Sequence, residues 1–479
     1  MDTRYIIAIE IGSSKVKGIA ASVGELGDIN VVAIEEARLD DCTRYGKIQN
    51  VQEVSAHVND IIRKIENNPR IAPRKVSDIF ISVGGRSLST ARAQAQRSFP
   101  VPTDITSETI KRLESDASFG LVTDKTNLAM LPYAFYIDNS EVKKVVGTVG
   151  KSVRAVFTAI VISPSIVDNL KRLKIDGRNI HFIIRPTALA DLVLTSSEKQ
   201  VGCALVDFGA ETTTVTIYKD QVLQQIITLP IGSRNITRDL MIGLSMTEES
   251  ADAAKMRSGV SLPGDEKLAT DIEINNYISA RAGEIIANIM HQIELAGFKP
   301  QTLKGGIILT GGGSRLVNFD RLVESQTKMP VRVAAIDSSL QFKGNNLDRN
   351  GNIDILAIAK NATEKFDIDC LTPRPVEVIE QQIEQEKPAV SPLQDQGYIR
   401  RPPIDDESLL EDDEDDDAPA RTNTIRVKNK KSRDFDDEDF DDEGNTGGNT
   451  KSTIKNLIDR MARFWNDSHE DDDIDETVN

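Results

Sequence analysis

The sequence predicts an α/β fold made of two similar halves facing one another, on three observations. Two short hairpins recur, each an apolar run that ends on a carboxylate, turns through glycine and small residues, and resumes as a strand. They are Ile9-Glu10-Ile11-Gly12-Ser13-Ser14-Lys15-Val16-Lys17-Gly18 and Val206-Asp207-Phe208-Gly209-Ala210-Glu211-Thr212-Thr213-Thr214. A third element, residues 305–316, is an apolar strand running into Gly311-Gly312-Gly313 ahead of a helix. From residue 1 to about 370, short apolar strands alternate with amphipathic helices, the pattern of an α/β protein.

Strands are expected at 5–11, 15–23, 79–83, 156–162, 203–208, 213–219, 222–229 and 306–310. The segment 51–66 carries Val51, Val54, Val58, Ile61, Ile62 and Ile65 on one helical face. Residues 281–296 do the same with Ile285, Ile286, Ile289 and Ile293. His57 and His291 lie on these helices as ordinary surface or core residues. Cys42, Cys203 and Cys370 are scattered without metal-ligand spacing, so they read as reduced and structural. No stretch approaches the ~20 consecutive apolar residues of a spanning helix, and the N-terminus has no signal segment, so a cytoplasmic protein is expected.

The net charge of −17 has to be located before it means anything. Residues 405–417 hold 10 acids, 434–443 hold 8 and 470–476 hold 6, with no base among them. Without those 24, 51 acids face 58 bases, so the rest of the chain is mildly basic. Residues 371–450 are rich in Pro, Gln, Asp and Glu and lack a sustained apolar period, which predicts a disordered, charge-extended linker. Lys428, Lys430, Lys431 and Arg433 form a small basic island inside it, read as balancing local charge ahead of the alternative, a weak anionic contact.

Periodicity returns at 451–466. Ile454, Leu457, Ile458, Met461, Phe464 and Trp465 fall at helical spacing, with Lys451, Lys455, Arg460 and Arg463 on the remaining positions. At ~1.5 Å per residue the segment is roughly 22 Å long, too short to span a bilayer but able to lie on one. Bulky apolar residues, the only Trp and basic flanks fit insertion among anionic headgroups. The competing reading is a helix docked on the body or a partner; its place beyond a charged linker favours the membrane. An acidic tail, 467–479, follows it.

The two hairpins and the triple glycine supply what a polyphosphate needs: backbone amides around its oxygens, carboxylates for a metal or its waters, and close backbone approach for a base or ribose. Their order resembles the phosphate-1, phosphate-2 and adenosine motifs of the actin-like ATPase superfamily. Within it, the residues from Ile11 to Lys17 and from Leu309 to Gly313 most resemble the bacterial cell-division family FtsA. The resemblance covers about 1–370, and the linker plus amphipathic helix is similar to that family's tail.

The resemblance implies an actin-like fold of two ribonuclease-H-like domains with ATP and Mg²⁺ between them. Domain 1A would take 1–84, 163–200 and 338–370, and an FtsA-type subdomain 1C would take 85–162. Domain 2A would take 201–229 and 302–337, and domain 2B would take 230–301. Glu10 and Asp207 would be the catalytic acids facing Mg²⁺ through waters. Gly12, Ser13, Ser14 and Lys17 would hold the β- and γ-phosphates, with Gly209 and Thr212 on the other side. Gly311, Gly312 and Gly313 would pack on the adenosine, and Asp252 and Lys255 would lie near the ribose and base.

Three departures from the family pattern bear on turnover. Glu10 stands where Asp is usual, and Ala210 and Glu211 replace two glycines, Glu211 bringing a charge near the phosphates unless it points away. Arg185 falls where related ATPases carry the Gln or Glu that orients water, and arginine cannot accept a proton. The function implied is an adaptor, at most a slow ATPase, that binds ATP, polymerises on the inner face of the cytoplasmic membrane and tethers FtsZ at the division site. Its implied partners are FtsZ, other copies of itself, the anionic membrane and later division proteins, and no nucleic acid. The alternatives are a sugar or carboxylate kinase of the same superfamily, or an MreB- or DnaK-type ATPase.

Overall fold

Two sheets, each begun by one of the acidic hairpins, organise the computed structural model. It describes residues 4–373 apart from 25–26, 40, 122–123, 176, 261–268, 338–339, 341 and 345–346. The expected linker from residue 374 on, the helix at 451–466 with Lys451, Ile454, Lys455, Leu457, Ile458, Arg460, Met461, Arg463, Phe464 and Trp465, and the acidic tail lie outside the described residues.

In the first half, β1 (Arg4–Ile11) and β2 (Lys15–Val23) form an antiparallel hairpin that places Glu10 opposite Lys17, and β3 (Ile29–Arg38) extends it. A small hairpin of β4 (Thr43–Arg44) and β5 (Lys47–Ile48) leads into α1 (Val51–Glu66). Asn50 caps α1 by accepting the Glu53 amide at 3.1 Å. Val54, Val58, Ile61, Ile62 and Ile65 are fully buried on one face of the helix. Burying each isoleucine contributes about 1.5–3 kcal/mol. Next comes β6 (Asp78–Val83), parallel to β1.

An excursion follows: β7 (Ser89–Asp104), α2 (Ser107–Phe119), β8 (Thr126–Ile137), β9 (Ser140–Val142) and β10 (Val149–Ile162). These strands pair antiparallel, and a separate small core forms around Leu113, Ala117, Phe157 and Ala93. The chain then passes α3 (Pro164–Lys171) and returns to the first sheet as β11 (Asn179–Ile184), parallel to β6. Two helices, α4 (Arg185–Val193) and α5 (Ser196–Val201), lead to the second half.

That half repeats the plan with β12 (Cys203–Phe208), β13 (Thr213–Lys219) and β14 (Val222–Leu229). Helices α6 (Ser233–Leu244), α7 (Glu248–Ser258) and α8 (Ala269–Leu295) then precede β15 (Ile307–Thr310). The chain continues through α9 (Phe319–Thr327), β16 (Val331–Val333), β17 (Phe342–Lys343) and α10 (Ile353–Lys365). Among the described residues the first sheet has the order β11-β6-β1-β2-β3-β17, and the second begins β16-β15-β12-β13-β14. Reading both from the fifth strand gives 5-4-1-2-3 twice, with the first three strands antiparallel and the last two parallel to the first. The excursion joins the second sheet where Ser89 of β7 pairs with Ile227 of β14.

One core is built on Ile6 to Ile9 with α1 and α10 and continues onto Leu205, Tyr218 and Ile308 of the second sheet; another is built on Val206 and Phe208 with α6 and α8. Cys42, Cys203 and Cys370 are buried in this body. No described helix is long and apolar enough to cross a membrane.

Gly306 enters β15 with φ +73°, and a Cβ there would run into the Pro330 carbonyl that accepts the Ile307 amide at 2.8 Å. Gly306→Ala is therefore expected to destabilise the protein by about 1–3 kcal/mol. A lowered thermal midpoint measures this.

Candidate functional site

The repeated plan brings the two acids to equivalent places. Glu10 and Asp207 are each the penultimate residue of the first strand of their sheet, and a glycine follows each two positions on. Both turns close in the same way: the Gly12 amide donates to Lys15 O at 2.9 Å, and the Gly209 amide donates to Thr212 O at 2.9 Å. Between the turns lies a cavity of about 190 Å³, lined by Glu10, Gly12, Ser13 and Ser14 from one side and Gly209, Ala210 and Thr212 from the other. A second cavity of about 420 Å³ adjoins it and reaches Asp207, Gly311 and Gly312. Lys15, Arg185, Gly312 and Asp354 line both.

Arg185, the first residue of α4, crosses between the halves. Its Nη1 lies 3.3 Å from Glu10 Oε1 and its Nη2 lies 3.1 Å from Asp207 Oδ2. Burial pushes the Glu10 carboxyl up to about 7, against the pull of Arg185 and Lys17 and helped by Asp354 and Asp207. Burial likewise raises Asp207, against Arg185. Burial would lower Arg185, but Asp207, Glu10 and Asp354 together hold it more firmly charged than usual. One guanidinium serving two buried carboxylates explains why a proton is retained on the acidic side.

Gly12, Ser13, Ser14, Gly209, Thr212 and Gly312 thus come together around one space. Five other expected positions make contacts within the protein. Lys17, which lines the second cavity, faces Glu10 across the hairpin, is 2 % exposed and donates to Asp354 Oδ1 at 2.9 Å and Gly351 O at 3.0 Å. Asp354, in the first turn of α10, captures it from 337 positions away. Asp252 and Lys255 line neither cavity; Asp252 Oδ1 accepts from Lys255 and from the Thr237 hydroxyl, each at 2.6 Å. Those bonds outweigh burial and hold Asp252 below the usual carboxylate range. Gly311, at φ +87°, has the Phe208 carbonyl and Asp207 where a side chain would go, while Gly313 is buried against the Phe208 ring. Only Gly312 of the three has open space beside it.

Glu211 does point away from the cavity. It is 2 % exposed, accepts the Tyr45 amide of the β4–β5 turn at 2.7 Å, and meets Arg234 Nη1 at 3.1 Å and Arg238 Nη2 at 3.5 Å. The second half therefore holds a loop of the first half through this carboxylate. The amides of Ser233 and Arg234, opening α6, donate to Gly209 O and Ala210 O at 3.0 and 2.7 Å, which fixes the turn from behind.

Sequence reasoning passed over several lining residues. Ser82, Gly84 and Gly85 end β6, Thr43 and Gly46 come from the β4–β5 hairpin, and Asp354 opens α10. Ser82-Val83-Gly84-Gly85 carried a readable signal, a strand followed by paired glycines, whereas Thr43 and Asp354 carried none. The hydroxyls, amides and open glycine around the cavity suit phosphate oxygens. The metal is a different matter. Both hairpin acids, the carboxylates that would face a divalent ion, are already engaged by Arg185, at 3.3 and 3.1 Å. The donor set does not fit a divalent ion.

A family model described as cell division protein FtsA matches residues 204–349. The chain is 26 % identical over 362 residues to the cell division protein FtsA of Porphyromonas gingivalis, covering 71 % of this chain and 74 % of that one. It is 24 % identical over 352 residues to the FtsA of Neisseria meningitidis, covering 69 % and 84 %. The FtsA of Bacillus subtilis is also 24 % identical over 352 residues, covering 69 % and 78 %. Among solved structures, a chain of the PilM-PilN type IV pilus biogenesis complex aligns with TM-score 0.53 at 14 % identity, covering 75 % of this chain and 97 % of that one. That likeness concerns the fold alone, and the fold is actin-like.

Two expected outcomes follow from the charges. Glu211→Ala leaves Arg234 and the Tyr45 amide without their buried acceptor and should cost about 3–5 kcal/mol, with Glu211→Gln costing less. Denaturant midpoints for both variants check this. For Glu10, raised from its ordinary 4.5 to about 7, the folded state keeps a proton that the unfolded chain releases. Its contribution to stability is full below pH 4.5 and is lost as pH rises through 7, so Glu10→Gln should flatten the pH–stability curve in that window. An unflattened curve would count against the buried carboxyl as its source.

Proposed function

We propose that this chain is a divergent relative of the FtsA cell-division proteins and acts as a nucleotide-binding division adaptor. In this reading it binds ATP between its two halves, self-associates in an actin-like way, lies on the inner face of the cytoplasmic membrane and tethers FtsZ filaments at the division site. The observation that carries the reading is the pair of equivalent turns, Gly12 to Ser14 and Gly209 to Thr212, facing one cavity. Residues 204–349, where the family model matches, include the second turn and the triple glycine.

Within the cleft, the Ser13 and Ser14 hydroxyls and the turn on the opposite side would bind the phosphates. Gly312 would leave room for the nucleoside. Arg185 holds the two acids and has no lone pair with which to take a proton from water, which favours retention of nucleotide over turnover. Retained nucleotide suits a switch for assembly better than it suits a kinase. One amphipathic helix at 451–466 would bind lipid weakly, and a polymer presenting many such helices would bind durably through avidity.

Co-sedimentation with anionic liposomes tests this reading. Full-length protein with ATP is expected to pellet with liposomes and to carry FtsZ with it, and a chain lacking residues 451–479 is expected to leave both in the supernatant. Equal pelleting of the two chains would sink the membrane assignment. Full-length protein that pellets with the liposomes and leaves FtsZ behind would sink the tether.

A further inference from the structure

Resting on the nucleotide reading above, we propose that the Arg185 guanidinium takes the place of a divalent cation, so that this cleft binds a nucleoside triphosphate as the metal-free anion.

A metal in such a cleft has two electrostatic tasks. It compensates the acids that end the two central strands, and it presents positive charge to the phosphate oxygens. Arg185 is placed for both. Its two terminal nitrogens reach Glu10 and Asp207 at 3.3 and 3.1 Å, one acid from each half. Arg185 lines both cavities and its side chain is 21 % exposed, which leaves it within reach of a ligand there. A guanidinium has five donors in a rigid fork and matches phosphate geometry well.

The surroundings leave little for a second cation to do. Lys17, the other buried base nearby, is occupied by Asp354 and Gly351. Asp354 therefore brings its own counter-charge and is not a spare metal ligand. A divalent ion entering between Glu10 and Asp207 would compete with a charge already bonded to both, and would be repelled by it. Arg185 Nε is buried without a hydrogen-bond partner, so the guanidinium is held through its terminal nitrogens, the ones aimed at the acids. Asp207 and Glu10 thus position the arginine, and the arginine contacts the anion.

The test is ATP affinity of the full-length chain by calorimetry, with millimolar Mg²⁺ or with EDTA. The unaltered protein is expected to bind ATP with constants within about threefold of each other in the two conditions, a difference of under ~1 kcal/mol. Arg185→Ala, which uncovers both acids, is expected to lose about tenfold or more in EDTA and to regain part of it with Mg²⁺. Arg185→Lys keeps the charge and should remain indifferent to Mg²⁺. An unaltered protein that binds ATP only with Mg²⁺ would overturn the inference and leave the nucleotide reading intact. No binding in either condition would overturn both. The comparison on the unaltered chain decides the matter even if a variant fails to fold.

Discussion

A single guanidinium between two carboxylates is the constraint on which the rest of this cleft depends. Glu10 ends the central strand of one sheet, Asp207 ends that of the other, and Arg185 begins the helix that follows the last strand of the first half. Without a cation between them, two buried acids on facing strand ends would repel one another and force the halves apart or take up protons. With it, the halves are held at a distance that leaves a cavity bordered by both turns. Breaking such a buried arrangement costs more than forming it contributes, because whichever partner remains is a buried charge without a mate.

The second link between the halves uses the opposite polarity. Glu211, from the second turn, takes a backbone amide from the β4–β5 hairpin and is held by Arg234 and Arg238 of α6. One link is thus a base of the first half gripping an acid of the second, and the other is an acid of the second half gripping backbone of the first. Both lie beside the Gly12 and Gly209 turns. Anything that occupies the cavity therefore meets a geometry already set, and a preorganised site binds without first ordering its loops.

Much of this arrangement was legible in the chain, for a local reason. The turns at Gly12 and Gly209 and the triple glycine after β15 are short-range features: which residues end a strand, and which small residues let the backbone turn, are written within a dozen positions. The amphipathic face of α1 is equally local. What the local sequence does not carry is which partner each side chain takes. The resemblance implied a phosphate contact for Lys17, and its ammonium is paired with Asp354, distant in sequence. Asp252 and Lys255 looked like a nucleoside contact, but Thr237 on the neighbouring helix ties them down. Gly313 looked like part of an adenosine seat, but the Phe208 ring fills the space beside it.

By itself the sequence determined the alternation of strands and helices, the two acidic hairpins, the triple glycine, and the contrast between a folded body and a charged C-terminal region. Each is a matter of composition, periodicity or local turn chemistry. Only the tertiary structure decided that the two hairpins occupy equivalent strands of two like sheets, that Glu211 faces away from the cavity, and that Arg185 lies between Glu10 and Asp207. These depend on which charges meet when strands far apart in the chain are brought side by side. A buried charge goes to the opposite charge that relieves its desolvation, wherever in the chain that partner lies.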